Sequence, residues 1–547
     1  MMKSIIQNIK NNITYYLTII ISLVVLIWGG IFTDNFKTFF DKAYKFTTEN
    51  FSWYFMALMA FFFVFSIYLL FSKYKNIKLG EDDSKPEFSN ISWFAMLFSA
   101  GIGIGLVFWG VAEPLTHYLN PVGAEAATKE AAAFAFRKSF LHWGISAWAC
   151  YALLALIIGY MHFRKGKPIL LSSVLIPLIG EKRARGPIGK TVDILTIFVT
   201  IAGIITSLGM GTLQINSGLN YLFGVPETKT VQIFIIAIIT VLFLISATTG
   251  VKKGIKILSN LNLGVAVVFF LGVFLIVPKI DLFNNFTVSI GQYVQAITVD
   301  KFNLFAKGDW YSKWTIFYWA WWIAWAPFVA IFIARVSKGR TIKEFIKGVL
   351  LVPAGFCMLW FLVFGTLGIS APLDVAHRAV QKTETALFVI LNEFSGVGLL
   401  LSIIAVVLLF TFFITSADSA TYVLSVIASD GILAPKNSRK IIIGVTQSLL
   451  TIAFLFAGGF DMIQTATIVM ALPFGIVILG SIISFIKEVR CENINEVDEA
   501  FYNDKLQEKV NVGTENGNFN GNRGTVKLRL PKGLTIINVN NVNHKIS

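Results

Sequence analysis

The chain has 547 residues, of which 55% are hydrophobic and 14% charged, and its mean hydropathy is +0.70. This composition excludes an ordinary soluble domain and is typical of a polytopic membrane protein. The formal net charge of +15 does not indicate nucleic-acid binding, because the sequence contains no nucleic-acid module and basic loops beside anionic lipid headgroups account for the charge.

Apolar runs of about 20 residues, each long enough to cross the hydrocarbon core, recur along the chain. They predict an all-α fold with twelve transmembrane helices. The first run lacks a small-residue cleavage site, so we interpret it as a retained helix and not a signal peptide. The approximate spans are 13–33, 51–72, 91–118, 140–161, 191–221, 230–248, 260–278, 314–334, 346–369, 398–428, 441–457 and 465–486.

Basic residues concentrate in alternate loops, with seven between Arg164 and Lys190 and five between Arg335 and Lys347. Because Lys and Arg favour cytoplasmic loops, both termini are predicted to be cytoplasmic in a multi-pass protein of the cell membrane. The tail beyond about Val497 is polar and rich in Gly and Asn, so we expect it to be largely disordered.

The third predicted span is unusually rich in glycine. Two interpretations are open, and they can hold together. A GxxxG pair favours close packing against a neighbouring helix; alternatively, the helix loosens near the bilayer midplane and exposes main-chain groups to a substrate or ion. The span has no acidic residue between Phe88 and Ala112, which favours a zwitterion over a bare cation. Its glycines are Gly101, Gly103, Gly105 and Gly110.

Six of the thirteen tryptophans lie between residues 310 and 325. On a helix, all but Trp319 share one face roughly 120° wide. Indole faces attract cations without supplying a counter-charge, which suits quaternary ammonium groups. The alternative, anchoring at the membrane interface, suits Trp310 and Trp314 near the predicted outer end. On the fourth span, three aromatic residues within about 140° around the axis can complete a cage: Trp143, Trp148 and Tyr151.

Charged residues inside the spans are few. We interpret Glu113 as a gate or a structural anchor, whereas Asp418 either tunes an ion site or bonds a neighbouring helix. The sequence contains no catalytic constellation, metal-ligand spacing or phosphate loop. We therefore expect neither an enzyme nor a bound cofactor. A channel and a membrane enzyme acting on choline-type headgroups are the rival classes.

Four segments together resemble the betaine/carnitine/choline transporter family over residues 15–490: AGIGIGLVFWGVAEPLTHY, HWGISAWACY, WTIFYWAWWIAWAPFVAIFIARVSKGRTIKEF and FFITSADSATY. The resemblance implies two inverted five-helix repeats, helices 3–7 and 8–12, after two extra helices, and a homotrimer. The implied divisions are 1–90 for the N-terminal segment with helices 1–2, 91–280 and 314–486 for the repeats, 281–313 for an outer amphipathic connector and 487–547 for the cytoplasmic tail.

By the same resemblance, a trimethylammonium box would combine the three aromatic residues of the fourth span with Trp322. Trp325 would lie beside the carboxylate, Trp321 and Phe317 would line the path on the cytoplasmic side, and Gly101 to Gly105, including Gly103, would form the flexible part of the third helix. The choline importers of this family tend to carry aspartate where this chain has Gly105, which favours glycine betaine.

The resemblance also implies two sodium sites. Hydroxyl and main-chain oxygens suit this small hard cation, although such hydroxyls often bond back to carbonyls four residues earlier. One site would use Ser99, Ile102, Phe412, Thr415 and Ser416, and a second would use Thr196, Thr200 and Phe328. Sodium-independent exchangers of the family place an arginine and a methionine where this chain has neither, near Asn262 and at Val329. The implied function is sodium-coupled import of glycine betaine for osmolyte accumulation, with choline or carnitine as the alternative substrate.

Overall fold

A computed structural model describes residues 12–101, 103–249, 252–304, 308–503, 525–530 and 533–538. Long helices make up most of these residues. In chain order they are α1 (Ile13–Ile31), α2 (Thr33–Phe71), α3 (Asn90–Gly101), α4 (Ile104–Leu119), α5 (Lys129–Trp143), α6 (Ile145–Gly159), α7 (Pro187–Phe223), α8 (Lys229–Thr249), α9 (Lys252–Ile276), α10 (Lys279–Thr298), α11 (Phe317–Arg335), α12 (Ile342–Ile369), α13 (Ser395–Ile427) and α14 (Asn437–Val489).

Short helical segments connect these helices. They are the α-helical turns Leu171–Val174, Ile176–Ile179, Glu181–Arg185, Asp309–Tyr311, Leu373–Val380 and Ala386–Leu391, the π-helical turns Tyr160–Arg164 and Ser312–Ile316, and the 3-10 turns Asp300–Phe302, Thr383–Thr385 and Asn392–Phe394. Most of the tail that the sequence predicts to be largely disordered lies outside the described residues. Its described parts are helical over 494–503 and form an antiparallel hairpin of β1 (Thr525–Leu530) and β2 (Gly533–Asn538).

Each of the twelve predicted spans lies on helix, so the all-α fold is confirmed for the described residues of the predicted membrane spans. By length and composition, nine described helices could each cross a membrane, or ten if a bent pair is one span. This count is lower than twelve partly because the third span is broken and partly because the last two spans lie on the single helix α14. That helix kinks where Gly459 adopts φ +65°.

The third span breaks within its glycines. Helix α3 ends at Gly101, and α4 begins at Ile104 after Gly103, whose backbone is extended (φ −159°, ψ −174°). Because the first turn of a helix lacks intrahelical partners for its N–H groups, the break presents main-chain donors near the middle of the span. The loosened helix favoured by the glycine density is therefore present.

The sequence predicts one continuous helix for the fourth span, but the structure has two. The span breaks at Gly144, between α5 and α6. Tyr293 of α10 accounts for the break, because its hydroxyl accepts a hydrogen bond from the Ile145 N–H (2.8 Å) and a Cβ on Gly144 would collide with that hydroxyl. Trp143 thus lies on a different helix from Trp148, and an angle around one helix axis does not describe their relation.

Helix α11 packs against α6 and α7, and α4 packs against α12. The bent pair consists of the end of α9, from Leu261, and the segment Lys279–Phe302, which meet at 108°. The connector expected at the outer surface is therefore helical and runs nearly perpendicular to the span before it. The packing leaves a cavity among α4, α6, α11 and α13.

Candidate functional site

A cavity of about 580 Å³ lies beside the break between α3 and α4. It extends from the tryptophans of α11 to Phe88 and Phe332, near the start of α3 and the end of α11. Its aromatic and small residues include Gly103, Gly105, Trp143, Ala147, Trp148, Tyr151, Trp321, Trp322, Trp325, Phe328 and Phe412, and its polar residues include Ser207, Asn262, Thr415, Ser416 and Ser419. Such a volume suits a small organic ligand.

The four residues proposed for the trimethylammonium box all line this cavity. The rings of Trp143 and Trp322 meet at 76° with centroids 4.9 Å apart, and those of Trp148 and Tyr151 meet at 81° with centroids 5.5 Å apart. Tyr151 and Trp322 are 6.1 Å apart at 82°. Rings that meet near right angles form a corner, in which several π faces can approach one cationic group.

Hydrogen bonds to other helices hold the indoles in place. The Trp322 Nε1–H donates to the His142 carbonyl (2.9 Å), and the Trp325 Nε1–H donates to the Gly203 carbonyl (2.8 Å). The Trp143 Nε1–H donates to Glu113 Oε2 (2.8 Å). A buried donor that already has a partner fixes ring orientation without being available to a ligand.

Gly105 permits two of the indoles to approach α4. A Cβ at this position would lie 2.8 Å from Trp321 Cη2 and 2.9 Å from Trp143 Cη2, closer than such atoms pack. Gly103 differs, because a Cβ there would meet nothing within 4 Å. The absence of a side chain at residue 105 is therefore a steric requirement of the aromatic corner, in addition to being an absence of negative charge.

Trp321 and Phe317, which the resemblance implies to line one path, take different positions relative to the cavity. Trp321 lines the cavity and stacks on Trp322 (4.9 Å, 15°). Phe317 is fully buried, is absent from the cavity wall, and stacks on Trp321 one turn nearer the start of α11 (5.6 Å, 15°). It packs on Phe460 and supports the indole from behind, so in this conformation it does not line the path.

The first proposed sodium site lies partly outside the described residues. Phe412, Thr415 and Ser416 line the cavity, whereas Ile102 and the Ser99 side chain lie outside the description. The Thr415 hydroxyl lies 3.0 Å from the Thr411 carbonyl, four residues earlier, and accepts from Asn262 Nδ2 at 3.0 Å. The three described residues thus line the same cavity as Gly103 at the break in the third span, and the Thr415 hydroxyl makes the back-bond that the sequence left open.

The second proposed sodium site is only partly assembled in this conformation. Phe328 lines the cavity, whereas Thr196 and Thr200 are buried on α7 and absent from its wall. Their hydroxyls donate to main-chain carbonyls four residues earlier at 2.7 Å. These back-bonds are the alternative that the sequence left open for such hydroxyls.

Charged residues of the quoted motifs that were not assigned to the substrate also shape the site. The fully buried Glu113 carboxylate accepts hydrogen bonds from Trp143, Tyr318 (2.5 Å) and His142 (2.7 Å), which supports its interpretation as a structural anchor. The i, i+4 spacing of Glu113 and His117 is visible in the sequence, but the third partner, His142, is not. Asp418 accepts from Ser246 on α8 (2.7 Å), so it bonds a neighbouring helix.

The long apolar helices and the aromatic-lined cavity define a polytopic membrane protein with an internal site for a small ligand. A family model described as "BCCT, betaine/carnitine/choline family transporter" matches residues 13–494. The chain belongs to this family, whose members are transporters and not enzymes.

Relatives in several bacteria are similar to nearly the whole chain. The glycine betaine transporter OpuD of Bacillus subtilis is 46% identical over 497 residues, covering 90% of this chain and 96% of its own. A probable glycine betaine transporter of Desulfitobacterium hafniense is 41% identical, with coverages of 88% and 98%. The ectoine/hydroxyectoine transporter of Virgibacillus pantothenticus is 39% identical, with coverages of 87% and 96%. Among solved structures, MhsT in complex with L-phenylalanine matches with a TM-score of 0.48 at 15% identity, covering 77% of this chain and 99% of its own.

Proposed function

We propose that this protein imports glycine betaine by sodium symport with alternating access, and so accumulates an osmolyte. The aromatic corner formed by Trp143, Trp148, Tyr151 and Trp322 at one end of the cavity carries this proposal. Each desolvated cation–π contact contributes about 1–2 kcal/mol. The names of two relatives, which both specify glycine betaine, support the same substrate.

The donors near the corner suit a carboxylate. The Trp325 N–H is already bonded to Gly203, whereas the buried Trp321 Nε1–H lacks a hydrogen-bond partner in the described structure. We therefore assign the carboxylate to Trp321 and to the main-chain N–H groups that begin α4, and not to Trp325 as the resemblance implies. A helix N-terminus favours an anion electrostatically.

The position of the cavity supports an inward-facing state. It reaches Phe88, which precedes α3, and Phe332, near the end of α11. In the topology proposed from the basic loops, both places are near the cytoplasmic side. Toward the opposite side, Trp109 packs on Trp314 and Tyr318 (5.2 and 5.9 Å) and covers the corner. Alternating access would then require this aromatic cover to separate.

Sodium coupling is thermodynamically sufficient for osmolyte accumulation. Two sodium ions crossing 100 mV, at about 2.3 kcal/mol each, and moving down a tenfold gradient, at about 1.4 kcal/mol each, supply about 7 kcal/mol. That free energy sustains a gradient of about 10⁵ for a net-neutral substrate.

Uptake by the purified protein in liposomes tests the function. We expect saturable accumulation of labelled glycine betaine against its gradient when sodium is higher outside, and none when potassium replaces sodium. Choline, carnitine and ectoine serve as competitors, and the most effective competitor at equal concentration identifies the preferred class. Equilibration without accumulation would identify a channel, and conversion of a choline-type headgroup would identify an enzyme.

Sodium dependence tests the ion site separately. Replacing both Thr415 and Ser416 by Ala removes two hydroxyl oxygens from the cavity wall. We expect the sodium concentration for half-maximal uptake to rise at least about tenfold, as one lost charge-assisted interaction of about 1.5 kcal/mol requires. Thr411→Ala, one turn earlier on the same helix, is the control. An unchanged sodium dependence in the double variant would place the ion elsewhere.

A further inference from the structure

A second polar site lies beside the aromatic corner. Glu113, His117 and His142 are all fully buried, and each offers one ligand atom within 4.8 Å of the others. Glu113 and His117 are four residues apart on α4 and share one face of that helix, whereas His142 lies in the last turn of α5. Two histidines and one carboxylate form a common donor set for zinc and related cations.

The two oxygens of Glu113 serve different neighbours. Oε2 accepts from Trp143 and Tyr318, at 2.8 and 2.5 Å. Oε1 faces the histidines, 2.7 Å from His142 Nδ1 and 3.5 Å from His117 Nε2. Occupation of Oε1 would therefore leave the bonds to the aromatic corner in place.

His117 carries the strongest indication of a ligand. Both of its ring nitrogens are buried and have no hydrogen-bond partner in the described part of the chain, although buried polar groups normally have one. Its Nε2 is 3.5 Å from Glu113 Oε1. About 3.4 Å separates two atoms that each lie roughly 2.1 Å from one ion at a tetrahedral angle.

The site lies below one layer of aromatic side chains. The half-buried Trp310 and Trp314 cover His117, with ring centroids at 5.1 and 4.5 Å. Lys138 lies over the Trp310 ring and is paired with Asp300 (2.9 Å), so its charge is offset. A movement of Trp310 would open a route to the histidines.

We propose that Glu113, His117 and His142 bind a transition-metal cation of the zinc class through Oε1, Nε2 and Nδ1. When the ion binds, the proton that His142 Nδ1 now shares with Glu113 moves to Nε2, where it can be donated to Thr315 Oγ1 at 3.0 Å. The ring thus stays neutral and the coordinating nitrogen is deprotonated, as a histidine ligand requires. The ion would join α4 to α5 beside the residues that hold Trp143 and Trp322.

The test uses the full chain, purified without a polyhistidine tag and stripped with EDTA. Titration with Co²⁺, followed by its visible absorption, and competition with Zn²⁺ should give saturable binding of one ion per chain. Zinc should also raise the unfolding temperature, since a ligand that binds only the folded state stabilises it. These readouts do not depend on transport, so the metal site can fail while the proposed function stands, and the reverse.

His117→Phe removes one ligand and keeps an aromatic ring beneath Trp314. We expect zinc affinity to fall at least about tenfold and the zinc-dependent rise in unfolding temperature to disappear, whereas a cooperative unfolding transition persists without zinc and shows that the variant folds. His377→Ala, at an exposed histidine of the segment Leu373–Val380, should bind zinc as the wild type does. Absence of saturable binding to the wild type, or equal binding by both variants, would refute the site.

Discussion

The two halves of the tryptophan-rich segment use the same side chain in opposite ways. In the half nearer residue 310, Trp314 and Tyr318 pack around a buried carboxylate and its histidines. In the half nearer residue 325, Trp321 and Trp322 turn toward a cavity. The space beside the first half is filled by protein side chains, among them the Glu113 carboxylate. The space beside the second half is a cavity that can take a charged ligand. The partner of each indole, and not its residue type, decides its role.

The largest effect should come from Glu113, the buried carboxylate that Tyr318 of the first half contacts. Glu113→Gln replaces an acceptor of three hydrogen bonds with an amide whose NH₂ must face other donors. We expect a loss of about 3 kcal/mol in the free energy of unfolding, measured by the unfolding temperature of the detergent-solubilised protein. Glu125→Gln, at an exposed position, is the control and should leave that temperature unchanged.

The second-largest effect should come from Gly105 of α4, which lies close to Trp321. Gly105→Ala places a methyl group against Trp321 and Trp143, and such overpacking costs about 1–3 kcal/mol. Glycine betaine affinity should therefore fall by about thirtyfold, as measured by tryptophan fluorescence titration. Gly103→Ala is the control, because it makes the same chemical change at a position where a Cβ would meet nothing within 4 Å. We expect near-normal affinity for this variant. Equal losses in both variants would show that glycine flexibility, and not indole approach, sets the requirement.

A direct contrast between the halves comes from indole removal. Trp322→Leu keeps bulk and removes a π face, so betaine affinity should fall at least about tenfold. Trp310→Leu, in the first half, should leave betaine affinity within about twofold of the wild-type value. This ring packs on His117 and Phe134 and does not line the cavity. If the two variants weaken binding alike, the assignment of the corner as the ammonium site is wrong.

The smallest effect should come from the Trp321 Nε1–H, a hydrogen-bond donor of the second half that has no partner in the described structure. Trp321→Phe retains the stack on Phe317 and Trp322 but loses the unpartnered N–H. We expect a roughly threefold to tenfold loss of betaine affinity, because one hydrogen bond contributes about 0.5–1.5 kcal/mol after competition with water. Any residual choline binding serves as the control and should be unaffected, because choline has no carboxylate. Equal loss for both ligands would indicate a packing effect.

The sequence predicts the helices well and their interruptions unevenly. Apolar runs specify membrane helices because the bilayer core requires about 20 residues of satisfied backbone, and the glycines of the third span marked its break. The break at Gly144 could not be predicted in the same way, because its cause is Tyr293, which reaches the Ile145 N–H from α10. Local propensity carries no information about such a distant partner.

The candidate site, like the helices, could be predicted only in part from the sequence. The residues of the aromatic corner could be named from motifs, and the structure places them around one cavity. The position of Phe317 behind Trp321 could not be read from the resemblance, which implies that both residues line one path. Nor could the use of the Trp325 N–H by Gly203, since α7 and α11 meet only in the folded protein.

By itself, the sequence determined that this protein is a helical membrane protein, that its third span is weakened by glycine and that its aromatic residues suit a quaternary ammonium group. These properties follow from hydropathy, backbone freedom and side-chain chemistry, which are local. Only the tertiary structure decided which indoles face the cavity, which donor stays free and what surrounds Glu113. Those outcomes depend on hydrogen bonds and steric contacts between helices far apart in the chain.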